Sequence, residues 1–475
     1  MIPRASPSTT VLCSVLLSAS ALAQSAPAAS PEALADPPAS SNVRVVPMTP
    51  TPIHVTLGAL PPPFATPSAT KNPTSFPPSA SSTVRAPAGF AVNVFADQLT
   101  TPRWMVLAPE GDVLVVESSS HRVRRLRDAN HDGVAEARDV FAAETNGLNL
   151  PFGVAFNATH FFVANTNGVR RYAYRAGQGK VQGTGEQVTT LPGLGYNQHW
   201  TRNVRIAPDG QRLFVTVGSQ SNVSVEPSPR ASVLVMGLDG SNKKVFASGL
   251  RNPVGLDFHP VTGEPYVTVN ERDGLGDDLV PDFFTRIQQD AFYGWPYAYL
   301  SKQNVDPRRA QNGQSENPAM VAKTVTPDVL FQAHSASLGL TFYRGTAFPA
   351  RYRNGAFAAF RGSWNRSKGT GFKVVFIPFN AQNRPTGVYE DFLTGFLTDP
   401  NVPTTWARPV GLLELPDGSL LVTDDNRNRI YRIRWVGTSS TGAPEEGATP
   451  ADTAPADAKP STPDAPGKDG DTPSR

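Results

Sequence analysis

Apolar and polar residues alternate along most of the chain, and one short phrase interrupts the alternation again and again. The phrase is an apolar pair, a proline turn with Asp-Gly or Glu-Gly, and a second alternating run. It is clearest as MVLAPEGDVLVVES from Met105, VRIAPDGQRLFVTVG from Val204 and GLLELPDGSLLVTDD from Gly411. Looser copies are GVAFNATHFFVANTNGVRRYAY from Gly153, GLDFHPVTGEPYVTVN from Gly255 and GLTFYRGTAFPARYRNGAFAAF from Gly339. Runs of period two joined by a tight turn are strand-turn-strand units, because successive side chains of a strand point to opposite faces. Early copies stand about 50 residues apart and later ones further, the spacing of four-stranded propeller blades. Counting the copies predicts an all-β fold, a six-bladed β-propeller of four-stranded antiparallel blades. A β-sandwich or β-helix is the competing reading, but the chain is too long for one sandwich and lacks short β-helix repeats. Helical periodicity is nearly absent, with one short turn at most expected over Asp278 to Gln289.

The pattern fails at both ends. Residues 24–83 are dominated by Ala, Pro, Ser and Thr, and residues 437–475 are similar with scattered acids. Neither stretch can bury enough apolar surface to offset the entropy of ordering, so both are expected to be disordered, as a linker and an acidic tail. That leaves residues 84–436 as the propeller. Residues 1–23 read as a secretory signal: Arg4, an apolar run from Val11 to Ala23, and Ala21-Leu22-Ala23 as a small-x-small site. The protein is therefore expected to be exported, periplasmic or secreted, with no transmembrane segment in the mature chain.

The single cysteine, Cys13, lies inside that signal, and Leu12 before it fits a lipoprotein site poorly. The mature chain would then have no disulfide, no thiol nucleophile and no covalent c-type haem. Net charge is +3 with the basic residues dispersed, which argues against a nucleic-acid partner. No Walker loop, dinucleotide fingerprint, His-Glu-x-x-His helix or nucleophile elbow is present.

Three places carry candidate chemistry. Of seven histidines, His54 falls in the linker, His121 and His131 in turns, and His160 and His259 at hairpin turns. His199 lies in a Gly-rich polar loop, GLGYNQHWTRNVRIAPDG, between Tyr196 and Trp200 and before Arg202. A loop imidazole among aromatics suits a general base, since its pKa lies near working pH; a structural loop histidine is the alternative. His334 in AHSASLGL is a second candidate. The loop NERDGLGDDLVPDFF, Asn270 to Phe284, gathers Glu271, Asp273, Asp277, Asp278 and Asp282 around two glycines, a composition suited to a hard cation or to a solvated acidic loop. The aromatic AFYGWPYAY behind it could wall a flat ligand. In DANHDGVAEARD, residues Asp128, Asn130, Asp132 and Gly133 match the first half of an EF-hand-type loop. Asp139 stands where a bidentate Glu is usual and no flanking helices are evident, so a tight hairpin competes with a structural calcium site.

Taken in order, LNLPFGVAF, HWTRNVRIAPDG, GLRNPVGLDFHP, NERDGLGDDLVPDFF, FYGWPYAY, LGLTFYRGTAFPARYRNGAF, RGSWNRSKGTGFKVV and RPVGLLELPDGSLLVTDD resemble the glucose/sorbosone dehydrogenase family of soluble quinoproteins, most closely its sorbosone dehydrogenase-like branch. The resemblance spans nearly all of the globular region. It implies a six-bladed propeller with pyrroloquinoline quinone (PQQ) and calcium at the channel mouth, oxidising an aldose or an aldehyde such as sorbosone and passing electrons to an external acceptor, a cytochrome or a quinone. It implies His199 as catalytic base and Arg251 and Asn252 as contacts to the quinone, with Arg251 stabilising charge on its oxygen. It further implies Gly274 and Leu275 as carbonyl ligands of calcium, Asp277 and Asp278 as their support, and Arg408 on a cofactor carboxylate. Arg366 and Lys368 stand where another basic contact is expected. The chain departs from the glucose-specific branch at Leu148-Asn149-Leu150, in the His199-to-Arg202 spacing and at Arg361 to Arg366. Two other classes stay open: a calcium-dependent propeller lactonase or esterase, with carboxylates around an axial metal, and a non-enzymatic propeller that binds carbohydrate or protein.

Overall fold

The six recurrent phrases form the first two strands of six successive sheets. The computed structural model describes residues 38–79, 81–193 and 199–438. Within them each sheet is built on an antiparallel meander of four strands, to which a short fifth strand is added in the third, fifth and sixth, the one in the third (Ala291–Phe292) running parallel. The first runs through Pro102–Leu107, Val113–Glu117, Arg122–Arg127 and Ala137–Ala142. The second opens on Val154–Phe156, the third on Val204–Ile206, the fourth on Asn252–Phe258 and the fifth on Ser337–Phe342. The sixth takes three strands from the C-terminal end, Pro409–Glu414, Leu420–Asp424 and Arg429–Trp435, and its fourth from the N-terminal side, Phe90–Ala96. Ile433 faces Val92 and Tyr431 faces Val94 across that seam. Among the described residues the one α-helix is Pro318–Val321, and Asp278 to Gln289 contributes the strand Phe283–Arg286 in place of a helical turn.

The first strand of each sheet lies against the first strand of the next, and Pro409–Glu414 lies against Pro102–Leu107. The apolar clusters follow the same circuit. Val116 and Phe141 of the first sheet meet Val154 and Phe161 of the second, while Phe162 on the opposite face meets Val204 and Val215 of the third. Phe357 and Val374 of the fifth meet Leu412 and Val422 of the sixth, and Phe95 and Leu421 of the sixth meet Met105 and Val115 of the first. Because both faces of each sheet are covered, Val113–Glu117 is buried throughout and loses the usual in-out alternation.

Two features of the repeated phrase have direct packing reasons. A Cβ at Gly411 would stand 2.1 Å from the Arg103 carbonyl, and one at Gly339 would stand 2.3 Å from that of Val410, so only glycine lets adjacent first strands approach this closely. In the second strand, the Thr423 hydroxyl accepts the Gly411 N–H at 2.7 Å and donates to the Arg103 carbonyl at 2.7 Å. Thr268 makes the same pair of bonds with the Gly255 N–H and the Leu338 carbonyl. These hydroxyls stitch one sheet to the next.

Residues 38–79 depart from the expectation of a disordered linker. Asn42–Val43 pairs with Phe90–Ala96, Val45–Met48 runs parallel to Val84–Pro87, Pro52–Ile53 extends the fifth sheet, and Thr74–Ser75 pairs with Thr404–Thr405. Composition misleads here because the segment needs no core of its own. It satisfies its backbone on sheet edges that would otherwise present unpaired N–H and C=O groups. The proposed signal and nearly all of the acidic tail lie outside the described residues, as does Tyr196. No helix among the described residues is long and apolar enough to cross a membrane.

Candidate functional site

First strands begin, and second strands end, on the same side of the successive sheets. The loops there surround a cavity of about 260 Å³. Arg103, Asn252 and Arg408 come from the starts of first strands; Asn270, Glu271, Asp273 and Arg361 follow second strands. His199, Trp200 and Thr201 come from the loop before the third sheet, and Val254, Ala336 and Leu338 supply an apolar floor.

His199 is buried against the wall. Its Nδ1 lies 2.8 Å from the Ser219 carbonyl and 2.9 Å from the Ser219 hydroxyl, whose own proton goes to the Ser221 carbonyl. Nδ1 therefore carries the imidazole proton, and Nε2 is left with its lone pair. Burial, and then the nearby Arg251 guanidinium, hold the pKa well below the ordinary histidine value. The loop is pinned by Arg202, fully buried, which donates to the carbonyls of Pro192, His199 and Thr201, each at 2.8 Å. Arg251 is clamped in turn: Nε and Nη2 donate to Asn222, Nη1 to the Glu271 carbonyl at 2.6 Å, and Nη2 also to Asp273 at 3.1 Å.

A cluster of cations lines the same cavity. Arg103 and Arg361 share Asp425, at 3.0 and 2.8 Å. Arg408 donates to the carbonyls of Arg361 and Gly362 and lies over the Phe372 ring. Its pKa is pushed down to about 9, by burial and then by Arg361. Guanidiniums crowded in this way are relieved by an anion. Three polar atoms of the lining have no protein partner: Thr201 Oγ1, Asn252 Oδ1 and Glu271 Oε1. Trp364 stands at the lip, 45% exposed.

The cavity thus unites His199, Arg251, Asn252 and Arg408. Arg366 and Lys368 stand outside it. Arg366 is drawn to the acidic loop, donating to the Asp277 carbonyl at 3.1 Å and pairing with Asp278, and Lys368 is exposed. Asp277 accepts the Ser367 N–H at 3.0 Å, so neither Asp277 nor Asp278 faces the cavity. Leu275 gives its carbonyl to the Phe64 N–H at 2.8 Å, and Gly274 turns beside it at φ +88°. His334 also lines the cavity; its Nε2 lies 3.0 Å from the Gly276 carbonyl, and its Nδ1 lies 3.1 Å from Asn365 Nδ2. Asp128, Asn130 and Asp132 lie away from the cavity in the hairpin after Arg122–Arg127. Asp128 caps the N–H groups of Asp132 and Gly133, and Asn130 also accepts from Asp132. The oxygens of Asp128, Asp132 and Glu136 lie within 4.8 Å of one another.

Among the cavity residues not singled out from sequence are Arg103, Arg361, Trp364 and Asn365. Arg103 begins a first strand just as Arg408 precedes one, a parallel visible in TPRWMV and ARPVGL. Arg361, Trp364 and Asn365 sit inside RGSWNR, where the only available signal was a break in the repeat.

The fold is nearly all-β, and its cavity combines a guanidinium cluster with a buried imidazole whose pKa is lowered. The chain belongs to the TrAA12-like family, which matches residues 84–291 and 285–436. It is 26% identical over 402 residues to the pyrroloquinoline quinone-dependent pyranose dehydrogenase of Coprinopsis cinerea, covering 73% of this chain and 54% of that one, so it spans about half the length of that relative. In structure it is similar to the holo form of the PQQ domain of a Coprinopsis cinerea pyranose dehydrogenase, with a TM-score of 0.60, 22% identity, and 77% of this chain and all of that one covered. It is also similar to the calcium structure of a Trichoderma reesei family AA12 enzyme, with a TM-score of 0.64, 21% identity, and coverage of 76% and 100%. The resemblance seen in the sequence is borne out at the level of family and fold.

Proposed function

We propose that the six sheets are the blades of a six-bladed propeller and that the chain is an exported quinoprotein that oxidises an aldose or aldehyde at the cavity described above. The closed circuit of first-strand contacts and of core clusters supports the blade count. One observation carries the activity: a neutral, oriented imidazole and a guanidinium cluster share one cavity.

PQQ fits the residues present. A flat tricarboxylate finds Arg103, Arg361 and Arg408 for its charge, Trp364 for its plane, and Thr201 and Asn252 as unpartnered polar atoms. When bound, the quinone supplies a two-electron acceptor for hydride from the sugar carbon. His199 Nε2 takes the proton of the C1 hydroxyl, or of a hydrated aldehyde. Ser219 keeps the ring in the tautomer that can do so. Arg251, fixed by Asn222, Glu271 and Asp273, presents positive charge without needing to reorient, which is the useful form of electrostatic stabilisation. Val254, Ala336 and Leu338 give the cavity apolar lining that keeps water out. Electrons then leave to an external carrier.

For calcium, the carbonyls of Gly274 and Leu275 would be the ligands: no donor among the described residues reaches that of Gly274, and that of Leu275, which accepts the Phe64 N–H, keeps a second lone pair. No step here is routed through a metal. A hydrolytic centre finds no support in the lining carboxylates. Asp282 accepts the N–H groups of Glu271 and Ala336, and Glu271 pairs with Arg272.

The test is titration of the apo protein with PQQ by absorbance, followed by dye-linked oxidation of a panel of aldoses, pyranoses and sorbosone. Stoichiometric binding with sugar-dependent dye reduction is expected. His199→Ala should bind PQQ normally and lose roughly 10²–10⁴-fold in turnover. A folded protein that takes up no PQQ, with calcium present, overturns the reading.

A further inference from the structure

The segment from Phe64 to Ser75 lies outside the family match. It touches two loops. On the loop after Asp273, the Phe64 N–H donates to the Leu275 carbonyl at 2.8 Å, and the Asp277 N–H donates to Thr66 Oγ1 at 2.8 Å. On the loop that carries Trp364 and Asn365, the Lys71 N–H donates to the Trp364 carbonyl at 2.6 Å, and Lys71 Nζ donates to the Ser367 carbonyl at 3.1 Å. Nζ also reaches the Asn401 carbonyl at 2.5 Å.

Both loops need such support. Neither lies in a ladder, and the first turns through φ +88° at Gly274 and +114° at Gly276. The packing is close, since a Cβ at Gly276 would stand 2.9 Å from Thr66 Oγ1. The loops also hold each other: Asn365 Nδ2 donates to Asp273 Oδ1 at 2.6 Å, and Asp273 clamps Arg251. A shift in either loop is therefore passed to the cavity wall.

We propose that Thr66 and Lys71 are positioning residues: they fix the loops bearing Asp273, Trp364 and Asn365, and so set how tightly the cavity grips its ligand. The ligand part of this inference rests on the proposed function. A ligand wall that is already ordered binds without a further ordering cost, so loosening it appears as lost affinity.

The experiment uses the full chain with Thr66→Val, Thr66→Ser and Lys71→Met. Hydrogen exchange is followed in residues 273–278 and 364–368, PQQ affinity by titration, and global stability by thermal unfolding. Faster exchange in both loops is expected for Lys71→Met and Thr66→Val. PQQ Kd should rise about tenfold, corresponding to about 1.4 kcal/mol, with Tm little changed, and Thr66→Ser should restore both readouts. Unchanged exchange overturns the inference, as does a fall in Tm with Kd unaltered. Should the wild-type chain bind no PQQ, the functional reading fails, and loop exchange alone decides whether Thr66 and Lys71 position the wall.

Discussion

His199 Nδ1 lies 2.8 Å from the Ser219 carbonyl oxygen, a bond that only a protonated Nδ1 can make. It commits Nε2 to the role of acceptor. Burial and Arg251 both oppose a second proton on the ring. A base held in this state works down to acidic pH. The acid limb of kcat/KM is expected well below pH 6.5, the ordinary histidine value. In Arg251→Gln the largest of the opposing charges, beside those of Arg202 and Arg230, is removed, and the limb should move to higher pH even though the rate falls. A pH–rate profile of both proteins checks this; a wild-type limb near pH 6.5 would contradict it.

The Thr423 hydroxyl joins the sixth sheet to the first. Thr423→Val keeps the shape but leaves the Gly411 N–H and the Arg103 carbonyl buried without partners. Each orphaned group costs about 1–3 kcal/mol. A loss of roughly 2–4 kcal/mol is expected by denaturant unfolding, while Thr423→Ser should recover most of it.

These stitches also show what was legible in the chain. The recurrent phrase gave the first two strands of all six sheets, because period-two alternation and proline turns are local signals. The close approach of Gly339 and Gly411 to neighbouring backbones explains why glycine recurs, yet it depends on a partner strand far away in sequence. Residues 42–75 depart from their composition for the same reason: their order comes from sheet edges, which composition cannot reveal. At the site, His199, Arg251, Asn252 and Arg408 were legible through the family's strings. Arg361 and Trp364 line the cavity while Arg366 and Lys368 stand outside it, because the chain turns within RGSWNR. Which side chain faces inward there is decided by Asp277 and Asp278 on another loop, which engage Ser367 and Arg366.

Asp282 makes a separate claim on pH. Its carboxyl is buried between the fourth and fifth sheets, and burial pushes its pKa up to about 7 against the pull of three backbone N–H groups. A carboxyl raised on folding contributes stability that is complete below the unfolded value, about 4, and is lost as pH rises through about 7. Asp424, also pushed up to about 7, acts in the same direction. Thermal unfolding should therefore show Tm falling across that interval because of these two groups. Asp282→Asn should flatten the fall without abolishing it, since Asp424 remains. An identical slope in the variant would remove Asp282 as a cause.

The last expectation separates the two proposed cofactors. Arg361 lines the cavity beside Arg103 and Arg408, and all three face the place where a tricarboxylate would sit. A hydrogen bond to a charged group contributes about 1.5–3 kcal/mol, so Arg361→Gln should raise the PQQ Kd by roughly 10–100-fold. Substitution also leaves Asp425 with Arg103 as its remaining guanidinium partner at 3.0 Å, so the loss should lie toward the upper end of that range. Chelation should do less. The Leu275, Gly276 and Asp277 carbonyls already have donors within the chain, and the loop keeps its shape through Phe64, His334 and Arg366. PQQ titrations of wild-type protein with and without EDTA, beside Arg361→Gln, compare the two directly. If chelation costs more affinity than the arginine does, the cation holds the quinone in place through the loop after Asp273.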